Sequence, residues 1–89
     1  MRIDQLLNKI CVIKTRSIAN QACRKGLIEI NNQVAKASST VKDGDTISVK
    51  LNGYKTVIKI TQIPQGNVSK KNALDYYELL TREALILDV

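Results

Sequence analysis

The chain has 89 residues and a mass of 9.9 kDa, enough for one small domain with a thin core, burying only ~60–65% of its unfolded surface. It is 44% apolar, hence globular, and 14 Lys and Arg against 8 Asp and Glu leave a net charge of +6, which points toward a polyanion. His, Phe and Trp are absent, so the commonest general base, the commonest metal ligand and most of the rings that stack splayed bases are missing. A non-catalytic binder of backbone and shape is expected, with no cofactor, no metal and no small-molecule substrate.

The first predicted element is a helix over 4–11. Asp4 is placed to cap it, and Leu6, Leu7 and Ile10 recur at helical spacing with Ile3 just ahead. Lys14-Thr15-Arg16 interrupts the pattern, and Ser17 offers a cap for a second helix over 18–25. Ile18 and Ala22 are expected inward; Asn20, Gln21 and Arg24 are expected outward. Gly26 suits the left-handed residue that ends such a helix. Two short helices and a tight turn make a helix-turn-helix-like pair.

Strands follow. Ile28 and Ile30 alternate with polar residues, Asn31-Asn32 reads as a turn, and Val34 begins a return segment. Asp43-Gly44-Asp45 is another turn. Over 46–51, Ile47, Val49 and Leu51 share one face, and Asn52-Gly53 predicts a hairpin to a strand over 54–62. Pro64 and Gly66 close the sheet. Ser69 then caps a predicted last helix to about Leu80, with Ala73, Tyr76, Tyr77 and Leu80 at helical spacing. The expected fold is α+β: a helical pair on a small, mostly antiparallel sheet, with a C-terminal helix.

Charge is uneven along this order. Residues 1–25 hold six Lys and Arg against one acid, 51–71 hold four Lys and no acid, and 72–89 hold one Arg against four acids. The longest apolar runs, Ile10 to Ile13 and Ala84 to Leu87, are too short for a signal sequence or a membrane span. Cytoplasmic localisation is therefore expected, with Cys11 and Cys23 as reduced thiols.

An ordered set of residues spans the first half: Met1-Arg2-Ile3-Asp4, Lys14-Thr15-Arg16-Ser17, Ala19, Ala22 and Gly26, then Ile28, Ile30 and Asn31, Lys36-Ala37-Ser38, Val41 and Gly44-Asp45. Together they resemble the S-four RNA-binding domain, the alpha-L RNA-binding motif. The rest, with Ala73, Leu74, Tyr76 and Tyr77, resembles small stand-alone members: a ribosome-associated heat-shock protein and a relative supporting alanine tailing in ribosome quality control. The resemblance implies a motif core over 1–48, a domain over 1–63 extended by the hairpin, and a helical extension over 64–89. It further implies binding to large-subunit ribosomal RNA and to peptidyl-tRNA held there. Cys11 and Gln5 depart from the pattern where arginine and lysine are usual, and Asn32 where glycine is.

The candidate RNA-binding residues cluster at the helical pair. Arg16 can fork two phosphate oxygens, Lys14, Arg24 and Lys25 add charge, and Thr15 and Ser17 stand at the second helix's positive end. Asn20 and Gln21 could read base edges or solvate the helix. Lys36 and Ser38 are candidate backbone contacts; Arg2 and Lys9 are rim contacts. Lys55 and Lys59 read as a solvated sheet face, and Asp4 as structural. The reading is an RNA-binding monomer on the large ribosomal subunit, in rescue or quality control of stalled translation. Its rivals are a DNA-binding helix-turn-helix regulator, a ribosome-assembly factor and a protein–protein adaptor; an RNA-modifying enzyme would need a catalytic domain this chain has no room for.

Overall fold

The computed structural model describes residues 1–51, 53–66, 68, 69 and 71–84. Helix α1 (Ile3–Lys9) and helix α2 (Arg16–Arg24) come first. Strands β1 (Ile28–Ile30), β2 (Gln33–Val34), β3 (Thr46–Leu51) and β4 (Tyr54–Ile60) follow, then a 3₁₀ turn at Ala73–Asp75 and strand β5 (Tyr77–Ala84). The strands form one antiparallel sheet in the order β2-β1-β3-β4-β5. The α+β class with an N-terminal helical pair is as the sequence led one to expect.

Hydrophobic spacing explains the core. Ile3, Leu6, Leu7 and Ile10 are fully buried along one stripe of α1 and its end, each contributing ~1.5–3 kcal/mol on burial. They share one cluster with Ala19, Ala22 and Cys23 of α2 and with Ile28, Ile47, Val49, Ile58 and Ile60 of the sheet. The α2 contribution is made of small side chains, which allow two helices to lie close. Ile18, expected inward, is 42% exposed: it sits one position off the Ala19–Ala22–Cys23 stripe, and that stripe faces the core.

Two caps differ from expectation. Helix α1 begins at Ile3, so Asp4 lies in its first turn, and the carbonyls of Ser39 and Ala37 accept the Ile3 and Asp4 amides at 2.8 and 3.5 Å. The loop packed on the helix end supplies these partners, leaving Asp4 free for other contacts. Helix α2 is capped by Thr15, not Ser17; its hydroxyl accepts the Ile18 amide at 3.1 Å. Thr15 is in extended backbone (φ −135°), as a cap must be, while Ser17 is already helical.

The largest correction concerns the C-terminal segment. Instead of a helix to Leu80, one 3₁₀ turn forms and Tyr77–Ala84 pairs along β4. Without it, β4 would present an open ladder of backbone groups. The register places Glu78 opposite Lys59 and Glu83 opposite Lys55. Opposite charges directly across strands stabilise a pair, so the acidic segment complements the lysine-rich strand; helical spacing yields to this tertiary pairing. The Tyr76 carbonyl fixes the entry by accepting the Thr61 amide at 3.0 Å.

Turn readings hold where they fall on described residues. Asn31 and Asn32 have φ of 51° and 68° between Ile30 and its partner Gln33, the two-residue hairpin geometry that Asn tolerates. Gly53 has φ of 78° in the loop joining Leu51 to its partner Tyr54. Asn52 lies outside the described residues, as do Lys70 and the last five residues.

Candidate nucleic-acid interface

Local bonds fix the corner between α1 and α2. The Val12 and Ile13 amides both donate to the Leu7 carbonyl, at 3.0 and 3.1 Å, and the Asn8 side-chain amide donates to the Lys14 carbonyl at 3.2 Å. Cys11 makes the bend with φ of 61°. The corner thus holds Lys14, Thr15 and Arg16 on a braced backbone at the positive end of α2, whose first turn carries no acid.

Asp4 organises the cations around that corner. Its side chain is 2% exposed, yet it meets two guanidinium groups that are about half exposed. Arg2 donates through Nε and Nη2, both at 3.2 Å. Arg16 Nε lies 3.5 Å from Oδ2, the same oxygen that accepts from Arg2 Nη2. The Gln5 amide donates to Oδ1 at 2.8 Å. Burial, the largest single influence, pushes the Asp4 pKa up. The Gln5 amide, the Asn20 side-chain amide lying against the carboxylate, Arg16 and Arg2 together outweigh it and hold the pKa below its ordinary value of 3.8. One ionised carboxylate therefore orients two arginines from different elements, while both side chains stay about half exposed.

The remaining cations are matched differently. Lys50 meets Glu29 at 3.4 Å, and Lys55 and Lys59 stand opposite acids of β5. The sheet face is close to charge-balanced. Among residues 1–25, Asp4 is the sole acid against six cations, so the unbalanced charge of the molecule lies on the helical pair and its corner.

The family model of the S4 domain matches residues 1–47. The chain belongs to the S4 domain family. It is 40% identical over 85 residues to a Helicobacter pylori (strain ATCC 700392 / 26695) protein named RQC P-site tRNA stabilizing factor, covering 93% of this chain and all of that one. A Bacillus subtilis (strain 168) protein of the same name is 33% identical, covering 96% of this chain and 98% of that one. The solved structure of Vibrio cholerae Heat Shock Protein 15, described as trimeric, superposes with a TM-score of 0.83 at 28% identity, covering 90% of this chain and 81% of that one.

Within this S4 unit the expected site residues fall into three groups, with Lys9 apart from all of them. Arg2, Arg16 and Asn20 converge on Asp4. Lys14, Thr15, Ser17, Gln21, Arg24 and Lys25 are exposed along the corner and α2; Arg16, Asn20 and Arg24 follow one another at four-residue spacing, so they line one helix face. Lys36 and Ser38 lie in the loop that caps α1: the Lys36 amide donates to the Ser39 hydroxyl at 2.9 Å, and Arg2 forms a β-bridge with Thr40. That loop flanks Arg2, on the same side as the Asp4 centre. Lys9 points elsewhere, its ammonium donating to the Gly66 carbonyl at 2.9 Å, and it joins no contact of the Asp4 centre.

Asp4 and Asn8 were not expected in the site. The signal for Asp4 was its solitude, one acid among six cations beside an apolar stripe. Asn8 offers no comparable signal, because its role depends on the path of the chain at 10–14.

Proposed function

We propose that this S4 protein is a non-catalytic RNA-binding factor that acts on the ribosome in quality control of stalled translation, gripping large-subunit ribosomal RNA and the tRNA beside it, as a cytoplasmic monomer. The observation that carries this reading is the pair Arg2 and Arg16, both oriented on buried Asp4 and both about half exposed. An arginine held in this way presents its planar fork to a phosphate without first losing side-chain freedom. Lys14, Arg24 and Lys25 extend the cationic strip, and the α2 amino end adds backbone donors. The name borne by the bacterial relatives, together with their near-complete coverage of this chain, supports a ribosomal setting and tRNA as a partner. No helix among the described residues is long and apolar enough to cross a membrane.

Such a surface binds by neutralising phosphates and matching their spacing, so affinity falls steeply with salt. It reads little base sequence: the Asn20 amide that could recognise adenine already lies against Asp4, which disfavours the DNA-regulator alternative. The test is crosslinking in cells with sequencing of the attached RNA, alongside sedimentation. Ribosomal RNA and tRNA reads, with the protein enriched on free large subunits, are expected. Equal distribution over small subunits, large subunits and intact ribosomes would reduce the interaction to generic basic adhesion and overturn the proposal.

A further inference from the structure

A groove of about 980 Å³ runs between the α1–α2 corner and strands β3, β4 and β5. Val49, Leu51 and Ile58 line its sheet side. Three further apolar lining residues reach solvent: Ile18 at 42%, Leu79 at 54% and Leu74 at 70% exposure. Two cations stand among the lining residues, Lys14 on the corner and Arg82 on β5, and the described lining holds no carboxylate. Arg82 is held there by the Tyr54 ring, 4.6 Å from its guanidinium carbon, a cation–π contact. The strand register separates the charges of β5: Glu78 and Glu83 lie across from Lys59 and Lys55, whereas Arg82 lies across from the groove-lining residue Thr56.

We propose that this groove docks an acidic amphipathic segment of another protein, its apolar side chains on Ile18, Leu74 and Leu79 and its carboxylates on Lys14 and Arg82. A contiguous apolar surface with a polar rim marks an interaction site, which scattered exposed leucines do not. The volume lies at the upper end for small-molecule pockets, but the polar lining is already engaged in part, Asn8 with the Lys14 carbonyl and Arg82 with the Tyr54 ring; an amphipathic peptide laid in a groove needs only apolar anchors and complementary charge. RNA fits this surface less well. Bases stack on aromatic or guanidinium planes; here the sheet side is lined mainly by aliphatic Val49, Leu51, Ile58 and Leu79, Tyr54 is already covered by Arg82, and Tyr77 is the one further ring in the described lining. A second copy apposing the same groove would set Lys14 and Arg82 against their own equivalents, since a two-fold interface repeats each patch on itself. The proposal stands apart from the RNA reading and shares only Lys14 with it, so partner docking and RNA grip meet at the corner.

The test begins with a display library of random peptides about twelve residues long, selected on the immobilised full chain and counter-selected on the double variant Leu74→Asp/Leu79→Asp. Both leucines are at least half exposed, and circular dichroism checks that the variant folds. The best peptide is then synthesised with its acids intact or replaced by lysine, and both forms are titrated into isotope-labelled protein and into Arg82→Glu. The expected sequences combine Leu, Ile, Phe or Met anchors with Asp or Glu, and shift the amide signals of Ile18, Leu79 and Arg82. Binding should be at least about tenfold weaker to the double variant, and Arg82→Glu should favour the lysine form. Selection of basic peptides, or of none that distinguish the double variant, would overturn the proposal. So would groove signals that respond to structured RNA but not to peptide, or that move with protein concentration alone. Should the double variant fail to fold, the charge preference of Arg82→Glu decides by itself.

Discussion

Replacing Asp4 with Asn sets long-range charge against local orientation, because the two predict opposite signs. The substitution removes the sole acid of the basic region and raises the net charge from +6 to +7. If RNA affinity followed charge alone, binding would tighten: one unit of charge about 10 Å from a phosphate is worth roughly 0.4 kcal/mol in water before screening, at most about twofold. The structure predicts weakening. Arg2, at 3.2 Å through two nitrogens, and Arg16, at 3.5 Å, lose the carboxylate that orients them. Re-ordering two such side chains on binding costs ~0.5–1.5 kcal/mol each, together about 1–3 kcal/mol, or roughly 5- to 150-fold in affinity. The cost to folding should stay near 1–2 kcal/mol, since both arginines are about half exposed and screened by solvent. Fluorescence anisotropy against a structured ribosomal RNA fragment, with thermal melts as the folding control, decides the matter. A folded Asp4→Asn protein that binds as tightly as the parent, or tighter, would refute the orienting role of Asp4.

Further outcomes follow from the same geometry. Arg16→Gln and Lys55→Gln each remove one charge, but only Arg16 belongs to the oriented pair; salt titrations should show a loss of ~1.5–3 kcal/mol for the first and a small, salt-erased loss for the second. Thr15→Ala should cost ~0.5–2 kcal/mol of stability through the lost cap, lowering the melting temperature by several degrees, while Thr15→Ser stays near the parent; calorimetry measures both. Because the Asp4 pKa is depressed by folding, its contribution is fully present above about pH 4 and is lost as pH falls through the lower folded value. Acid titration of stability should show this loss in the parent and lack it in Asp4→Asn. Burial foremost, and the Asp4 charge next, push the Cys23 thiol above its ordinary value of 9.0. Maleimide should therefore label exposed Cys11 quickly and Cys23 only on unfolding.

Local signals carried much of the fold, as particular elements show. The stripe of Ile3, Leu6, Leu7 and Ile10, the strand of Ile47 and Val49, and the Asn31-Asn32 turn all depend on side-chain period or on one residue's backbone tolerance. Neighbours in sequence suffice to specify each of them. The concentration of cations in residues 1–25 was likewise visible, and with it the helical pair as the candidate site. The path after Pro64 was not. Tyr77–Ala84 has leucines and charges that suit a helix, and only the open ladder of β4, with Lys55 and Lys59 awaiting acids, makes it a strand. Nor could sequence distinguish a capping Asp4 from an Asp4 that binds Arg2 and Arg16, because the choice rests on the 36–40 loop supplying the carbonyls for the start of α1. Spacing along the chain sets which face a residue occupies within its own element. Which charges meet across elements is set by how those elements pack, and here packing sets the hairpin lysines against acids of β5 and gathers Arg2 and Arg16, about half exposed, on Asp4.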